Sequence, residues 1–512
     1  MNISNSKGEL LLVSDIEGCS LYNINKDTKQ SLYFCTKNFF DNLDLFLKNK
    51  NNKIAFLGDY FDRGNYVLYS IDRIAKLKTK YKDRVYIILG NRDVNKFRLV
   101  FEFFDKKYDK TKKQEYFPFW SKYIDDINDY ENYYQIGKSI MENTMGTKPI
   151  IPLNELLNYN LSIELLEKLT LVVIIYPYNK KVSDKIFKSV DINNSLQKKV
   201  IKLRENFKKN VEIIYTQGKI ADYDAEFKTF MSHSGGFSDK LLYFNGENIT
   251  LNKNLGKSHF YYGELARIRN LLMGDIKGNK KFSDIKSLIN YPNRLLHNTA
   301  KLVFSGKKVK MNKDYFILMC MCIRGDNDIK TASFISQCGI SGNPRRLYKL
   351  MDSRELFDLL IENSCQVIAH GHMNFGLHIP LRYLYKYGKN RITFVLNDTT
   401  TLRPKKMLKG GTMKPAKYNK NDILPLSCII KNGDTIKTNI CILNDKGELI
   451  ELKENNLGNI VYKEKNLLGL FDMENNYIKQ ENNKLFLIKN KKKTKKIVHY
   501  NTKGYEPPNV FV

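Results

Sequence analysis

Ile54-Ala-Phe-Leu-Gly-Asp-Tyr-Phe-Asp-Arg-Gly64 is the stretch that decides how this chain folds. Its first four residues form an apolar run of the kind found in buried strands. The run ends in Gly58-Asp59, and Asp62-Arg63-Gly64 follows directly. Open α/β sheets bind ligands at the carboxyl ends of their strands, which is where these charged side chains are predicted to lie. Carboxylates suit hard divalent cations and an arginine fork suits a phosphate, so the stretch predicts a site for both.

The segments on either side of this stretch alternate between strand and helix patterns. Glu9–Ser14 and Arg84–Leu89 are apolar runs of strand type, whereas residues 31–48 and 66–80 carry apolar side chains at spacings of three and four. Alternation of this kind predicts a largely parallel sheet covered by helices. The polar residues that follow each strand should therefore meet at one edge of that sheet.

Five predicted strands are each followed at once by polar side chains that can bind a metal ion or a phosphate. In chain order these side chains are Asp15 and Glu17; Asp59, Asp62 and Arg63; Asn91, Arg92 and Asp93; His233; and His370 and His372. Oxygen ligands come first along the chain and imidazoles come last. Together they can hold two divalent ions a few ångströms apart, with Asp59 shared between the ions.

Two long stretches without such clusters interrupt the pattern and are predicted to be mainly helical insertions in a single domain. We assign the domain to residues 1–454, its core to 1–110, 226–254 and 361–454, its insertions to 111–225 and 255–360, and a C-terminal extension to 455–512. Within these parts, an apolar run predicts a strand at Tyr315–Ile323, and Asn-Gly and Asp-x-Gly signals predict hairpins over Leu424–Leu452. The aromatic stretch Tyr116–Trp120 is either a substrate wall or the first insertion's own small core.

The chain is strongly basic, with 85 Lys and Arg against 54 Asp and Glu and a net charge of +31. One explanation is an acidic partner such as nucleic acid or phosphorylated protein. The other is a coding bias toward lysine, since the lysines are spread along the whole chain. The basic run Lys489–Lys496 also has two interpretations. It is either a functional segment, namely a nuclear address or a nucleic-acid contact, or it is a solvated terminus.

Cysteine usage and hydropathy favour an intracellular protein, cytoplasmic or nuclear and not secreted. Eight cysteines in 512 residues do not form a disulfide scaffold, and the pair Cys320 and Cys322 has no second pair at zinc-binding spacing. The first residues lack the pattern of a signal peptide. The longest apolar stretch, Leu169–Tyr176, is too short to cross a bilayer, so no membrane span is expected.

The order and wording of the five polar clusters resemble the calcineurin-like metallophosphoesterase superfamily. Gly58–Gly64 and His233–Gly236 are most similar to the Ser/Thr protein phosphatase branch. The resemblance covers about residues 1–110, 227–240 and 365–452. It implies an α/β fold in which a metallophosphoesterase-like β-sandwich is flanked by helices, here with two insertions and a basic tail. It also implies a phosphoester hydrolase that acts on a phosphorylated protein, nucleotide or nucleic acid.

Roles follow from the resemblance position by position. It implies that Asp15, Glu17 and His372 hold one divalent ion, that Asn91, His233 and His370 hold the second, that Asp59 holds both, and that Arg63 contacts the phosphate. Mn²⁺ is the preferred ion, with Fe, Zn or Mg as alternatives. A hydroxide that bridges the ions would attack a phosphomonoester or a phosphodiester in line.

Two positions depart from the family pattern. Glu17 stands where the family has a histidine, and it either binds the ion or points elsewhere. Arg92 stands where the family has its catalytic histidine, and an arginine cannot donate a proton at neutral pH. We therefore count Arg63, Asn91, Arg92 and Asp93 as candidate catalytic residues, with a helix cap as the alternative role of Asp93. The alternative for the whole protein is a catalytically weak relative that binds a phosphorylated partner or nucleic acid.

Overall fold

The computed structural model of the chain describes residues 7–16, 39–61, 66–101, 133–144, 150, 152–234, 243–244, 280–281, 284–305, 314–315, 318, 335, 354–372, 380–387, 389–397, 406–407, 413–414, 425–453, 470–472, 476–481, 484–490 and 492–497. Several sequence predictions fall on residues outside these ranges. They concern Glu17, Asp62, Arg63, the pair Cys320 and Cys322, and Tyr116–Trp120.

The described strands form two large sheets and three small ones. In chain order they are β1 (Gly8–Val13), β2 (Lys53–Phe56), β3 (Val85–Ile87), β4 (Ala221–Asp224), β5 (Thr229–Ser232), β6 (Tyr243–Phe244), β7 (Lys280–Lys281), β8 (Val367–His370), β9 (Leu381–Tyr387), β10 (Asn390–Leu396), β11 (Lys406–Met407), β12 (Met413–Lys414), β13 (Leu426–Asn432), β14 (Thr435–Leu443), β15 (Leu449–Glu451), β16 (Leu470–Asp472), β17 (Asn476–Glu481), β18 (Lys484–Lys489) and β19 (Lys492–Ile497).

Each large sheet contains three neighbouring parallel strands. The first sheet has the order β15-β14-β13-β1-β2-β3, in which β1, β2 and β3 run parallel. The second has the order β16-β9-β10-β8-β5-β4, in which β5, β8 and β10 run parallel. Antiparallel strands extend both sheets, with β13–β15 on the first and β9 and β4 on the second. The predicted hairpins over Leu424–Leu452 are thereby confirmed as β13, β14 and β15.

The two large sheets share an apolar core because successive side chains along each strand point to opposite faces of its sheet. Leu10 and Leu12 of β1 lie in one buried cluster, whereas Leu11 and Val13 lie in another. The first of these clusters also contains residues of the second sheet, including Ala369 of β8. Successive side chains of a strand point to opposite faces, so this cluster fills the space between two facing sheets. The fold is therefore a mixed α/β sandwich, as the sequence predicts.

Helices cover the outer faces of the sandwich. In chain order they are α1 (residues 39–46), α2 (Val67–Tyr81), α3 (Asn91–Asn95), α4 (Arg98–Phe101), α5 (Tyr133–Ser139), α6 (Ile163–Ile175), α7 (Lys180–Lys188), α8 (Asn194–Gln217), α9 (Ile285–Phe304) and α10 (Arg354–Glu362). Short 3₁₀ segments occupy Lys82–Arg84 and Asn154–Tyr159, and a π-helical segment occupies Ile140–Thr144.

Polar caps fix where several of these helices begin. The side chains of Ser162, Asn179, Asn193 and Asp284 each accept an N–H from the first turn of α6, α7, α8 and α9 respectively. The long helix α8 packs against α2, α6 and α9, and α9 also contacts β4. Within the described helices, none combines the length and the apolar character needed to cross a membrane.

The strand predicted at Tyr315–Ile323 is wrong at residues 315 and 318, which are helical. A short apolar run alone does not distinguish a strand from a buried helix. Within the insertion 111–225, which was predicted to be mainly helical, a 3₁₀ segment at Asn154–Tyr159 is followed by α6, which ends at Ile175. The C-terminal extension predicted at 455–512 contains the antiparallel sheet β17-β18-β19, which was not predicted from the sequence. This sheet includes much of the basic run.

The division into core and insertions stays a prediction, and two observations bear on it. Strand β4 lies inside the predicted insertion 111–225, yet it pairs with β5 as an edge of the second large sheet. Helix α8, from the same insertion, packs on α2 of the predicted core. Part of this segment is therefore built into the sandwich.

Candidate metal centre

The candidate ligands lie at the carboxyl ends of the parallel strands of both sheets. Asp15 follows β1 and Asp59 follows β2, while His233 follows β5. His370 is the last residue of β8 and His372 comes two residues later. Because the two sheets face each other, these strand ends meet at one edge of the sandwich, which brings residues hundreds of positions apart into contact.

His233 is at the centre of the cluster. Its Nε2 lies 3.3 Å from Asp59 Oδ1, 3.3 Å from Asn91 Oδ1 and 3.2 Å from His372 Nδ1. Ligand atoms of Asp59, His233 and His372 all lie within 4.8 Å of one another. Three potential metal ligands from three other segments thus surround the Nε2 of His233.

This donor set fits a divalent cation. Neighbouring ligands of an octahedral ion with bonds of about 2.1 Å are separated by about 3 Å, close to the spacing seen around His233. One ring nitrogen cannot donate a proton to three neighbours at once, whereas a cation among them can contact all of them. The mixture of carboxylate, amide oxygen and imidazole suits Mn²⁺, Fe or Zn better than a purely oxygen-bound ion such as Ca²⁺.

The backbone orients the His233 ring. Its Nδ1 lies 2.6 Å from the carbonyl oxygen of Leu57, to which Nδ1–H donates. This contact leaves Nε2 directed at the other ligands, as in metal sites where a second partner fixes the tautomer. Burial alone would lower the pKa of His233, but the carboxylate of Asp59 raises it to about 10. A proton and a divalent cation therefore compete for Nε2.

Asp59 is buried and surrounded by positive charge. Burial alone would raise its pKa, but His233, together with Arg92 and His372, holds the pKa of this carboxyl well below its usual range. The Nε of Arg92 lies 3.2 Å from Asp59 Oδ2, and the backbone N–H of Arg92 donates to Oδ1 at 3.0 Å. The shared ligand of the predicted site is thus ionised and already paired with the residue that replaces the family's histidine.

Asp93 ties two loops of the site together and does not face the cluster. Its carboxylate accepts the backbone N–H groups of Asp59, Tyr60 and Gly90, each at 2.8 Å. Gly90 precedes the first residue of α3, so Asp93 caps that helix from its third position. Burial and the charge of Asp59 raise the pKa of Asp93 to about 7. This geometry gives Asp93 a positioning role and agrees with the helix-cap alternative.

Asp15 is joined to the His372 segment through the backbone. Asp15 Oδ2 accepts the N–H of His372 at 3.1 Å and the hydroxyl of Ser14 at 2.6 Å. The N–H of Asp15 donates to the carbonyl of Gly58 at 3.0 Å, which fixes it beside the β2 loop. Ser14 was not singled out from the sequence, and its position directly before an acidic cluster was the available signal.

The two late histidines differ in their surroundings. His372 contacts His233 directly, whereas the Nδ1 of His370 lies 3.2 Å from the carbonyl oxygen of Gly371. Burial lowers the pKa of His370 to about 4. The resemblance paired His233 with His370 and paired Asp15 with His372. Both histidines lie at this edge, but His372 is the one that shares the cluster with Asp59 and His233.

Tyr215 is a supporting residue that sequence reasoning missed. Its hydroxyl donates to the backbone carbonyl of Asp93, and its ring stacks on Phe61 at 5.6 Å between centroids. Tyr215 belongs to α8, more than one hundred residues after Asp93. An aromatic residue on a predicted helix carries no signal for such a contact. Glu17 and Arg63, the remaining candidate ligand and phosphate contact, lie outside the described residues.

A family comparison matches the first part of the chain. Residues 9–189 match the family model described as calcineurin-like phosphoesterase. The matched segment contains Asp15, Asp59 and Asn91, and His233 and the later histidines lie beyond it. The match confirms the resemblance seen in the sequence.

Three solved structures align with most of the chain at low similarity. They are a point mutant of a cold-active protein tyrosine phosphatase (TM-score 0.34, 10% identity, 87% of this chain and 80% of that chain), the cold-active protein tyrosine phosphatase of a psychrophilic Shewanella species (0.29, 10%, 87% and 80%) and a protein serine/threonine phosphatase from Saccharomyces cerevisiae (0.27, 10%, 85% and 81%). At these TM-scores the alignments carry no argument about function.

Proposed function

We propose that this chain is a metal-dependent phosphoester hydrolase that hydrolyses phosphomonoesters with two divalent ions, in line with the calcineurin-like phosphoesterase match over residues 9–189. The single observation that supports the proposal is the convergence of Asp59, His233 and His372 within 4.8 Å. Mn²⁺ is the proposed ion, with Fe, Zn or Mg as alternatives, because the ligands mix imidazole with oxygen. A phosphodiester is the alternative substrate class.

Some residues of the site would bind the ions, and others would stabilise negative charge on the phosphoryl group. Asp59, Asn91, His233 and His372 would hold the ions, and Asp93 keeps the Asp59 loop in place. Divalent ions at such a site lower the pKa of a water and neutralise phosphoryl charge. Arg92 adds a fixed positive charge beside Asp59, where it can stabilise negative charge on a phosphoryl group. We propose that Arg63 contacts the phosphate directly, as the family pattern implies.

Arg92 also limits which substrates react well. It replaces a histidine and cannot protonate a leaving group at neutral pH. General acid catalysis is typically worth about 10²–10⁴-fold. The loss matters most for alkoxide leaving groups and least for aryl or phosphoryl ones. We therefore propose that kcat/KM rises steeply as the pKa of the leaving group falls.

The test is hydrolysis by purified protein of a series of aryl phosphates and of a serine phosphopeptide, with Mn²⁺, Mg²⁺, Zn²⁺ or Fe²⁺ supplied. Turnover should require a metal and should fall at least about 100-fold in Asp59→Asn. Asp41→Asn is the matched control, since Asp41 is a surface carboxylate paired with Arg73. Bis(p-nitrophenyl) phosphate distinguishes diester from monoester activity. Absence of turnover with all four metals, or activity that survives Asp59→Asn, would refute the proposal.

The ion pair between Arg92 and Asp59 supports a second candidate, a weakly active relative that binds a phosphorylated partner or nucleic acid. Binding by a protein of net charge +31 should weaken sharply with salt. Salt-sensitive binding of a phosphopeptide or RNA without hydrolysis would favour this candidate. Nucleic-acid contact by the basic tail and an intracellular location stay predictions.

A further inference from the structure

Arg92 is a buried cation on the carboxylate that the predicted ions share. The residue is 6% exposed and Asp59 is 2% exposed. The guanidinium Nε contacts Asp59 Oδ2 at 3.2 Å, while the backbone N–H of Arg92 donates to Oδ1 at 3.0 Å. One residue therefore contacts both oxygens of Asp59, through its side chain on one and through its backbone on the other.

These contacts use acceptor positions that bridging ions would need. A carboxylate offers about four lone-pair positions on its two oxygens. The backbone N–H of Arg92 occupies one position on Oδ1, the guanidinium of Arg92 is ion-paired with Oδ2, and His233 Nε2 lies 3.3 Å from Oδ1. Oδ1 therefore faces His233 and the other clustered ligands, whereas Oδ2 faces the guanidinium. The two oxygens of Asp59 are not equivalent.

The backbone that carries Arg92 is held firmly. Its neighbour Asp93 accepts three backbone N–H groups, and the carbonyl of Asp93 accepts the hydroxyl of Tyr215. The Nζ of Lys96 lies 3.4 Å from the carbonyl oxygen of Arg92. The helix thus keeps the guanidinium near Asp59. Because the backbone is fixed, only a change in the rotamer of the Arg92 side chain would displace the guanidinium.

A fixed charge at this place acts differently on the two ion positions. Repulsion between like charges is weakly screened at buried sites. An ion beside His233 and Asn91 is compensated by Asp59 and faces the Oδ1 side. A second ion that uses Oδ2 must share that oxygen with a guanidinium already in contact with it.

We propose that Arg92 makes the two cation positions unequal, so that the position on the His233 side fills tightly and the position served by Oδ2 fills weakly. The inference rests on the proposed function, because it assumes divalent ions at Asp59. Arg92 then determines how many ions the site holds at a given metal concentration.

The test is a titration of the full-length, metal-stripped protein with Mn²⁺, followed by calorimetry and by electron paramagnetic resonance. We expect the first equivalent of Mn²⁺ to give the electron paramagnetic resonance signal of an isolated ion. The second equivalent should bind at least about 100-fold more weakly than the first. In Arg92→Gln the charge is gone, so the second equivalent should bind at least about 10-fold more tightly and give a coupled two-ion signal.

Two further variants complete the design. Arg92→Lys keeps the positive charge and loses the planar guanidinium, so the second equivalent of Mn²⁺ should still bind weakly. This variant separates the effect of charge from the effect of shape. Arg73→Gln removes a partly buried arginine elsewhere and should leave both affinities unchanged. Circular dichroism on each variant establishes that it is folded.

The possible results distinguish the inference from the function on which it rests. Two equal affinities in the unaltered protein, or an unchanged ratio in folded Arg92→Gln, would overturn the inference and leave the proposed hydrolase standing. Absence of any Mn²⁺ binding would overturn both. A weak second site in the unaltered protein that tightens in Arg92→Gln but not in Arg92→Lys is the result that supports the inference.

Discussion

Three candidate ligands have a left-handed backbone, which side chains other than glycine rarely adopt. The φ angles of Asp15, Asp59 and His372 are 53°, 57° and 66°. Each such residue costs of order 1–3 kcal/mol unless its surroundings compensate. Asp59 is compensated by Asp93, which accepts its N–H, and Asp15 by its hydrogen bond to Gly58. The strain is concentrated in the loops that direct ligands into the cluster.

Close packing at the site depends on a glycine next to Asp59. A Cβ on Gly90 would lie 2.2 Å from Asp59 Oδ1 and 2.6 Å from its backbone nitrogen. We predict that Gly90→Ala moves the Asp59 loop and lowers kcat/KM by at least about 100-fold, since displacing a catalytic group by about 1 Å has that effect. Kinetic assays with an aryl phosphate measure it.

Gly433→Ala is the matched control for this substitution. Gly433 lies in the turn between β13 and β14 with φ +58°, and no atom in the part of the chain that the structure describes lies within 4 Å of an added Cβ. Strain from the positive φ should lower the free energy of unfolding by about 1 kcal/mol without changing kcat/KM. Equal kinetic effects of the two substitutions would show that steric contact with Asp59 is not the cause.

Glu155 gives the protein a pH-dependent stability away from the metal centre. Burial raises its pKa from the usual value to about 7, and among the described residues its Oε2 has no hydrogen-bond partner. Because the folded pKa is above the unfolded one, folding loses stability as pH rises from about 4.5 to about 7. At 1.36 kcal/mol per pKa unit the full cost is roughly 3 kcal/mol above pH 7.

We predict that Glu155→Gln removes most of this cost. Chemical denaturation should find the variant about 1–3 kcal/mol more stable than the unaltered protein at pH 8 and nearly equal to it at pH 4. Asp191→Asn, at an exposed position, should leave the difference between the two pH values unchanged. A stability gain of the same size at both pH values would contradict the assignment to the Glu155 charge.

At the scale of elements, helix α8 packs against the short helix α3 and holds it in place. The hydroxyl of Tyr215 donates to the carbonyl of Asp93, and it also lies 3.0 Å from the hydroxyl of Tyr178. The ring of Tyr215 contacts Phe97, which follows α3, at 4.9 Å between centroids. A helix from the predicted insertion thus fixes the helix that presents Asn91 and Arg92.

We predict that Tyr215→Phe lowers kcat/KM by about 3–10-fold and the free energy of unfolding by about 1 kcal/mol, the typical value of one hydrogen bond. Tyr178→Phe removes the neighbouring hydroxyl, which contacts the hydroxyl of Tyr215, so its effect should be confined to stability. Steady-state kinetics and denaturation of both variants decide the question. Identical kinetic losses in the two would show that the contact with Asp93 has no positioning role.

At the scale of the whole molecule, a buried carboxylate joins the two sheets at the edge away from the metal centre. Asp224 accepts the Nζ of Lys53 at 2.9 Å and the hydroxyl of Tyr86 at 2.7 Å, and both partners belong to the first sheet. It also accepts the N–H groups of Glu226 and Phe227 in its own turn. Lys53 begins β2, and Asp59 follows its other end, about 20 Å away at about 3.3 Å per residue.

We predict that Asp224→Asn lowers the free energy of unfolding by about 1–3 kcal/mol, because Lys53 then keeps only the exposed Glu226 as its ion-pair partner. At 25 °C kcat/KM should stay within about twofold, since the metal centre lies at the opposite edge. Tyr86→Phe removes one hydroxyl contact and should cost about 1 kcal/mol. A large kinetic loss in folded Asp224→Asn would show that the two edges are coupled.

The strands that place the ligands were predictable because their signals are local. Apolar runs followed by Asp15, Asp59, Asn91, His233 and His370 mark β1, β2, β3, β5 and β8 within a residue or two. Strand β4 and the tail sheet were not predicted, since short polar strands such as Ala-Asp-Tyr-Asp carry no alternation of their own. Their pairing with neighbours gives them their form.

The sequence by itself determined which side chains follow the strand ends and in what order, and that order led to the family and to a divalent metal site. The tertiary structure decided that His372 shares the cluster with Asp59 and His233, that Arg92 pairs with Asp59, and that Tyr215 supports Asp93. These contacts depend on how two sheets face each other and on the left-handed backbone at Asp59 and His372. A linear pattern records spacing along one strand, whereas the distance between ends of different strands is set by packing.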